Sequence, residues 1–218
     1  VVGEVESGDL EPLRGPRRAM AQAMAQSRDE VVPATLCDDA DIDHWPAGSD
    51  ISARLIRAMV AGVAAEAALN VWYDGRAIGR RVQKKIDIAI AVDTPEGLFT
   101  PVLRNCAERD MADLRRGLEA MKAAVKARDI PPGEMRGYTL MLSNFGTIAG
   151  RYAAPVVVPP CVAILGAGVI REQVVAADGQ PAVHRLLPLS LTFDHRAVTG
   201  GEAGRFLAAV RADLQRAD

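Results

Sequence analysis

The stretch Leu186-Leu187-Pro188-Leu189-Ser190-Leu191-Thr192-Phe193-Asp194-His195-Arg196 decides how the chain is to be read. Leu187, Leu189, Leu191 and Phe193 alternate with Pro188, Ser190, Thr192 and Asp194, the two-residue period of a strand with one face in a core. The spacing predicts a strand over 186–195. His195 falls in register with the apolar set, so a strand that persists that far aims the imidazole inward. Gly200-Gly201 then lets the backbone turn sharply. A lone inward histidine, on spacing alone, reads as a hydrogen-bonded core residue. Asp194 and Arg196, flanking it with opposite charges, argue for a polar site.

Upstream, Cys161 to Leu165 is a continuous apolar run, as in a strand buried on both faces. Tyr138 to Ser143 is a strand that runs into a loop holding Gly146 and Gly150. Ile86 to Val92 is another, with Ile86, Ile88 and Ile90 on one face and Asp87 and Ala89 on the other. Asp93-Thr94-Pro95-Glu96-Gly97 is a turn, and Leu98 to Leu103 returns as a strand. Val31 to Ile42 is rich in β-formers. Four helices are expected. The first, over 17–28, follows Pro16; the second is capped by Ser49 or Asp50; Asp110 caps the third; the fourth spans Gly200 to Leu214. Strands and helices mix without a regular βαβ rhythm, which fits an α/β or α+β single domain.

The 218 residues are enough for one large domain with its own core. Hydrophobic residues make up 49% and charged residues 25%, which is globular rather than disordered composition. A formal net charge of -2 argues against a nucleic-acid partner. No apolar run is long enough to cross a bilayer. The opening residues have no signal-peptide architecture and read as a linker, and the missing initiator Met points to a piece of a longer chain. Cys37, Cys106 and Cys161 have no metal-ligand spacing and read as reduced, mostly buried thiols.

Histidine is the side chain best placed to exchange protons near neutrality, and the chain has three. His44 sits in the turn-like Asp43-His44-Trp45-Pro46 and reads as a surface residue. His184 lies among alternating strand residues and reads as facing solvent. His195 is the candidate base. Ser143-Asn144-Phe145-Gly146 ends a strand in a hydroxyl, an amide and a glycine. This is an ordinary strand-end turn by composition, and alternatively a donor for a developing oxyanion. Arg17-Arg18 reads as a solvated helix face, and Met20 with Met24 as core.

Taken together, these segments resemble the dihydrolipoyl acyltransferase family, the core subunits of 2-oxo acid dehydrogenase complexes. Pro188 to Arg196 looks like the family's signature strand, and Ser143-Asn144-Phe145-Gly146 is similar to its serine-containing loop. Pro155 to Gly168 and Ile88 to Leu103 resemble two further blocks, and Arg17-Arg18 with Val32-Pro33 its opening. The resemblance covers about Gly15 to Leu214, in order.

It implies the fold of the CoA-dependent acyltransferases, as in chloramphenicol acetyltransferase: a mixed central sheet flanked by helices over residues 16–218, after a linker remnant at 1–15. His195 then falls on the catalytic base and Ser143 on the oxyanion-stabilising serine. Asp194, Arg196 and Thr199 would support the loop, and Arg17, Arg18 and Asn144 would contact coenzyme A. The implied reaction moves an acyl group between the dihydrolipoyl thiol and coenzyme A, acetyl favoured and branched-chain acyl close behind; coenzyme A and a lipoyl group carried on another domain are the implied substrates, with no metal. The implied partners are identical subunits in a trimer that joins into a cage, the lipoyl domain, a 2-oxo acid decarboxylase and dihydrolipoyl dehydrogenase. Neither nucleic acid nor membrane is expected. The implied location is cytoplasmic, or the mitochondrial matrix in a eukaryote.

The resemblance has two departures. The family's signature carries Asp or Asn where this chain has Thr199, which puts the loop's electrostatic support in doubt. Ala34 follows Pro33 where relatives often carry histidine. Two other readings stay open: an antibiotic acetyltransferase of the chloramphenicol type, and a structural core without catalysis.

Overall fold

The longest strand of the computed structural model is the one the leucine alternation predicts, and it begins earlier, at Gln180. The structure describes residue 8 and residues 10–217. The linker expected at 1–15 falls mostly on residues 1–7 and 9, which lie outside the described residues. In chain order the elements are α1 (Gly15–Glu30), β1 (Pro33–Asp41), α2 (Ile51–Ala65), β2 (Val71–Asp74), β3 (Gly79–Val82), β4 (Ile88–Ile90), β5 (Val92–Thr94), β6 (Gly97–Phe99) and β7 (Val102–Leu103). There follow α3 (Met111–Ala127), β8 (Leu140–Asn144), β9 (Ala163–Ala167), β10 (Arg171–Ala177), β11 (Gln180–Asp194) and α4 (Gly200–Leu214).

Seven strands form one mixed sheet in the order β1-β11-β9-β8-β4-β7, with β10 paired to the first half of β11. β8 runs parallel to both β9 and β4; the other pairings are antiparallel. Helix starts follow the side chains expected to cap them. Asp50 accepts from Ala53 N at 3.0 Å and Asp110 from Asp113 N at 2.7 Å. Gly62 lets α2 approach α4, since a Cβ there would come within 2.8 Å of the Phe206 ring and of Val210 Cγ2.

The two faces of the sheet are packed unequally. Leu187, Leu189, Leu191 and Phe193 join Leu142, Leu165 and Ile88 in a large core beneath α2, α3 and α4. The opposite face has a small cluster of Ala89, Val102, Met141, Val157 and Ile164. Helix α1 lies over that face and buries only Ser27, whose hydroxyl donates to Val157 O at 2.6 Å.

Some elements differ from the expected ones. Ile86–Val92 is not one strand. It breaks after Ile90, where Ala91 N donates to Leu142 O, and Val92–Thr94 leaves the main sheet to pair with Gly97–Phe99. Leu98–Leu103 breaks at Pro101, which has no N–H for a ladder. The β2–β3 hairpin and β10 were not expected: Gly79–Val82 is polar and Arg171–Ala177 has no period-two pattern.

His184 is not free at the surface. Its Nδ1 lies 2.6 Å from Asp41 Oδ2, joining β11 to the end of β1. The hydrogen bond to Asp41 raises the His184 pKa above its ordinary 6.5. Burial alone would raise Asp41; the bond from His184, the bond from Asp43 N and the nearby histidines together outweigh it, so its pKa falls below 3.8. A raised histidine pKa stabilises the fold fully below the unfolded value, and the gain disappears as pH rises through the folded one; the carboxylate's gain disappears as pH falls. The advantage of wild type over His184→Gln in urea melts should therefore be largest at about pH 5–6 and shrink by about pH 8. A difference that grows with pH would contradict the pairing.

Candidate active site

Ser143 owes its position to strand register. Met141 pairs with Ile164 and Ser143 with Gly166, so both side chains lie on the α1 face of the sheet while Leu142 enters the main core. The loop after Ser143 is held backbone to backbone. A Cβ on Gly146 would lie 2.2 Å from Gly168 O, and one on Gly168 2.0 Å from Arg151 O. Arg151 Nη2 donates to Asp39 Oδ2 at 2.8 Å, and Ala153 N to Ser190 Oγ at 3.2 Å. These bonds tie the loop to β1 and β11. Ser143 and Asn144 are half-buried. Ser143 lines a cavity of ≈ 440 Å³ between α1 and the sheet.

His195 is exposed, contrary to the inward orientation expected from register. Strand β11 ends one residue earlier, at Asp194, where its pairing with Pro33 stops. His195 N donates to Val32 O at 2.8 Å, and Ala197 N and Val198 N then both turn back to Asp194 O at 3.0 Å. The imidazole lies with its centroid 5.5 Å from the Phe193 ring, the planes at 50°.

Asp194 takes the interior place, with 2% exposure. Its Oδ1 accepts from Val32 N at 3.3 Å and Arg196 N at 3.1 Å, and its Oδ2 from Arg196 Nη2 at 2.7 Å. The Arg196 guanidinium lies 4.8 Å over the Tyr73 ring and also donates to Glu30 O at the end of α1. Asp194 and Arg196 thus hold the turn that carries the histidine, through an ion pair whose carboxylate is buried, with further hydrogen bonds.

Thr199 is the N-cap of α4. Its hydroxyl accepts from Glu202 N at 3.2 Å, and the Glu202 carboxylate accepts from Thr199 N at 2.7 Å, a reciprocal capping box. That bond from Thr199 N holds the Glu202 carboxyl below its ordinary range. Arg80 adds donors to Ala197 O at 3.1 Å and Glu202 Oε1 at 3.2 Å. The loop therefore keeps an ionic support despite the uncharged residue at 199. The sequence does carry a signal for Glu202, since Thr followed three positions later by Glu before a helix is a capping signature. Arg80, on the unexpected β3, had no signal.

Arg17 and Arg18 are exposed at the opposite end of α1, beside the β5–β6 hairpin: a Cβ on Gly97 would lie 3.2 Å from Pro16 Cβ and 3.4 Å from Arg17 Cγ. They sit near the Ser143 cavity rather than His195. Met20 and Met24, expected in the core, line that cavity. Ser143 and His195 are not together in one chain. Two strand spacings and five residues along β11 separate them by ~19 Å. Burial pushes the Cys106 and Cys161 thiols up to about 12, so neither is a nucleophile; Cys37 is exposed. Among the described residues no group of three His, Cys, Asp or Glu could hold a metal, and no helix is long and apolar enough to cross a membrane.

Residues 49–218 match the family described as 2-oxoacid dehydrogenases acyltransferase (catalytic domain), and the chain belongs to that family. The dihydrolipoyllysine-residue acetyltransferase component of the pyruvate dehydrogenase complex of Staphylococcus aureus is 34% identical over 207 aligned residues, covering 87% of this chain and 47% of that protein. The chain thus spans about half the length of the curated relatives it matches. Among solved structures, the dihydrolipoamide acetyltransferase of Azotobacter vinelandii is similar with a TM-score of 0.87 and 25% identity, covering 99% of this chain and 96% of that one. The cubic core of a pyruvate dehydrogenase multienzyme complex gives 0.85 and 26%, with the same coverage. A chloramphenicol acetyltransferase, at 0.58, 13% identity and coverage of 88% and 94%, shares the fold.

Because Thr199 caps α4, Thr199→Ala should cost ~1 kcal/mol in urea unfolding, while Thr199→Asn, which restores a capping oxygen, should cost far less. Equal stability of wild type and the alanine variant would remove the capping role.

Proposed function

We propose that this domain transfers an acyl group, acetyl by default, between a dihydrolipoyl thiol and coenzyme A, with His195 as general base and Ser143 as oxyanion donor. The observation that carries the reading is a spacing. Ser143 precedes His195 by 52 positions and Thr199 follows it by four. The same spacing separates the serine, histidine and asparagine studied for their role in the catalytic mechanism of the Azotobacter acetyltransferase.

In this reading the neutral His195 imidazole takes the proton of the attacking thiol. The thiolate adds to the thioester carbonyl, and the Ser143 hydroxyl donates to the tetrahedral oxyanion. Collapse breaks the original C–S bond, and the departing sulfur takes the proton from the imidazolium. Both thiols belong to substrates, so no acyl-enzyme is needed. Thr199 lacks the amide of the Azotobacter asparagine, and its oxygen is already used in the cap. Its part is to fix the turn that carries His195.

The ~19 Å between Ser143 and His195 in one chain supports a site completed by a second copy. A homotrimer, joined further into a cage, is the assembly proposed. A lipoyl domain, a 2-oxo acid decarboxylase and dihydrolipoyl dehydrogenase are its proposed partners. The location that goes with this reading is the cytoplasm, or the mitochondrial matrix of a eukaryote.

His195→Ala should lower kcat for acetyl transfer to dihydrolipoamide by ~10²-fold or more while the assembled state is unchanged in sedimentation. Wild-type turnover in that variant would sink the base assignment, and equal, negligible rates in both proteins would leave a scaffold. Ser143→Ala should lower kcat by ~10²–10³-fold with little change in the KM for coenzyme A. A defect confined to KM would rule out the oxyanion role.

A further inference from the structure

We infer that the β2–β3 hairpin positions the catalytic turn: Tyr73 and Arg80 hold the two residues that follow His195. The inference rests on His195 being the general base and adds two positioning residues to the proposed reaction. Three observations lead to it.

The first is register. Tyr73 and Arg80 stand directly opposite each other in the β2–β3 ladder. Cross-strand partners share a face, with Cβ atoms about 5 Å apart. The neighbouring pair, Trp72 and Arg81, points to the other face. One face of the hairpin therefore presents a ring and a guanidinium side by side, and both meet the His195 turn. The Arg196 guanidinium lies 4.8 Å over the Tyr73 ring. Arg80 Nη1 donates to Ala197 O at 3.1 Å and to Glu202 Oε1 at 3.2 Å.

The second is what the turn requires. Asp194 holds its first half, through Arg196 and through the N–H groups of Ala197 and Val198. The capping box at Thr199 holds its end. Ala197 between them is buried, and the backbone carbonyl of a buried residue needs a donor. Arg80 is that donor. The Glu202 carboxylate is shared: Oε2 accepts from Thr199 N at 2.7 Å while Oε1 accepts from Arg80. The hairpin is thus joined to the middle of the turn and to the cap of α4 by a single guanidinium.

The third is a contrast between anchorage and stability. The hairpin is pinned where it leaves the body of the protein. Trp72 Nε1 donates to Tyr138 O and Tyr73 N to Pro160 O, both at 2.9 Å. Asn70 Nδ2 donates to Gln83 O and Lys85 O, both at 3.0 Å. A fixed hairpin can hold a turn in place. Yet the Arg80 side chain is 42% exposed, and an ion pair so open to water adds little to global stability. Misplacing a reacting group by about 1 Å, in contrast, can cost about 10²-fold in rate. The contact is weak as a support of the fold and strong as a support of the base.

Acetyl transfer from acetyl-CoA to dihydrolipoamide should be measured in the assembled protein for Arg80→Ala, Tyr73→Leu and Arg81→Ala, and for Arg80→Ala combined with His195→Ala. Arg80→Ala and Tyr73→Leu should each lower kcat by about fivefold or more. In Arg80→Ala both KM values should stay within about twofold of wild type and the melting temperature within about 4 °C. Arg81→Ala, which removes a charge from the other face of the hairpin, should keep kcat within about twofold. In the His195→Ala background, Arg80→Ala should change the residual rate by less than about twofold, because a residue that acts through the base has nothing left to position. A smaller loss in Arg80→Ala or Tyr73→Leu would overturn the role of that residue. An equal loss with and without His195 would make Arg80 a structural residue only, and an equal loss in Arg81→Ala would reduce its effect to charge. Each of these leaves the base assignment standing. Wild-type turnover in His195→Ala alone would overturn that assignment and, with it, the positioning role.

Discussion

The buried carboxylate of Asp194 is the constraint on which the rest of the site depends. A carboxylate with 2% exposure needs a partner and further donors, because an unpaired buried charge costs several kcal/mol. Arg196 and Val32 N provide them, and both requirements are local. To reach Asp194 the guanidinium must fold back two residues, which ends β11 and forces the turn at His195 to 197. The same guanidinium donates to Glu30 O and rests on Tyr73, so the pair also sets where α1 ends and where the β2–β3 hairpin docks. The outward imidazole is a consequence of the inward carboxylate: one strand end cannot place both on the same side.

The unequal packing of the two sheet faces determines what else is possible. On one face three helices cover a large continuous core. On the other, α1 spans the strands with Ser27 as its single buried residue, and the space beneath holds the Ser143 hydroxyl. A fully packed helix would be more stable and would enclose nothing. Position matters as much as space. Gly146 and Gly168 allow the Phe145–Tyr152 segment to press against the β9–β10 turn, and Arg151 ties it to Asp39. The serine at the cavity is therefore fixed by backbone contacts, as preorganised hydrogen-bond donation requires.

Much of this was legible in residue order. The leucine alternation of β11, the capped starts of α2 and α3 and the limits of α4 depend on near neighbours, and they fall as expected. The departures arise where a distant contact decides. Period two carries His195 inward only if the strand reaches it, and whether it does depends on the pairing with Pro33 and on the Arg196 clamp. Met20 and Met24 have helical spacing suited to a core, but α1 stands off the sheet and they line a cavity instead. Ile86–Val92 and Leu98–Leu103 look continuous, yet Val92–Thr94 finds its partner in Gly97–Phe99 rather than in the main sheet. Thr199 differs again. Its role is written locally, in the threonine and the glutamate three positions on.

An exposed imidazole and a half-buried hydroxyl ~19 Å apart on one sheet also constrain how such a domain could act. Under the proposed chemistry both groups must meet one thioester, whose reacting atoms span only a few ångströms. No side-chain rotation closes that distance, and the parts of the fold that carry the two residues are held by ion pairs and tight backbone contacts. Rearranging either would break the Asp194–Arg196 clamp or separate Gly146 from Gly168. The lower-cost solution is to leave each element as it is and bring a second copy, so that the histidine of one subunit faces the serine of another. In that arrangement assembly becomes part of catalysis, and the rigidity that keeps the two groups apart within a chain is what would hold them in register between chains.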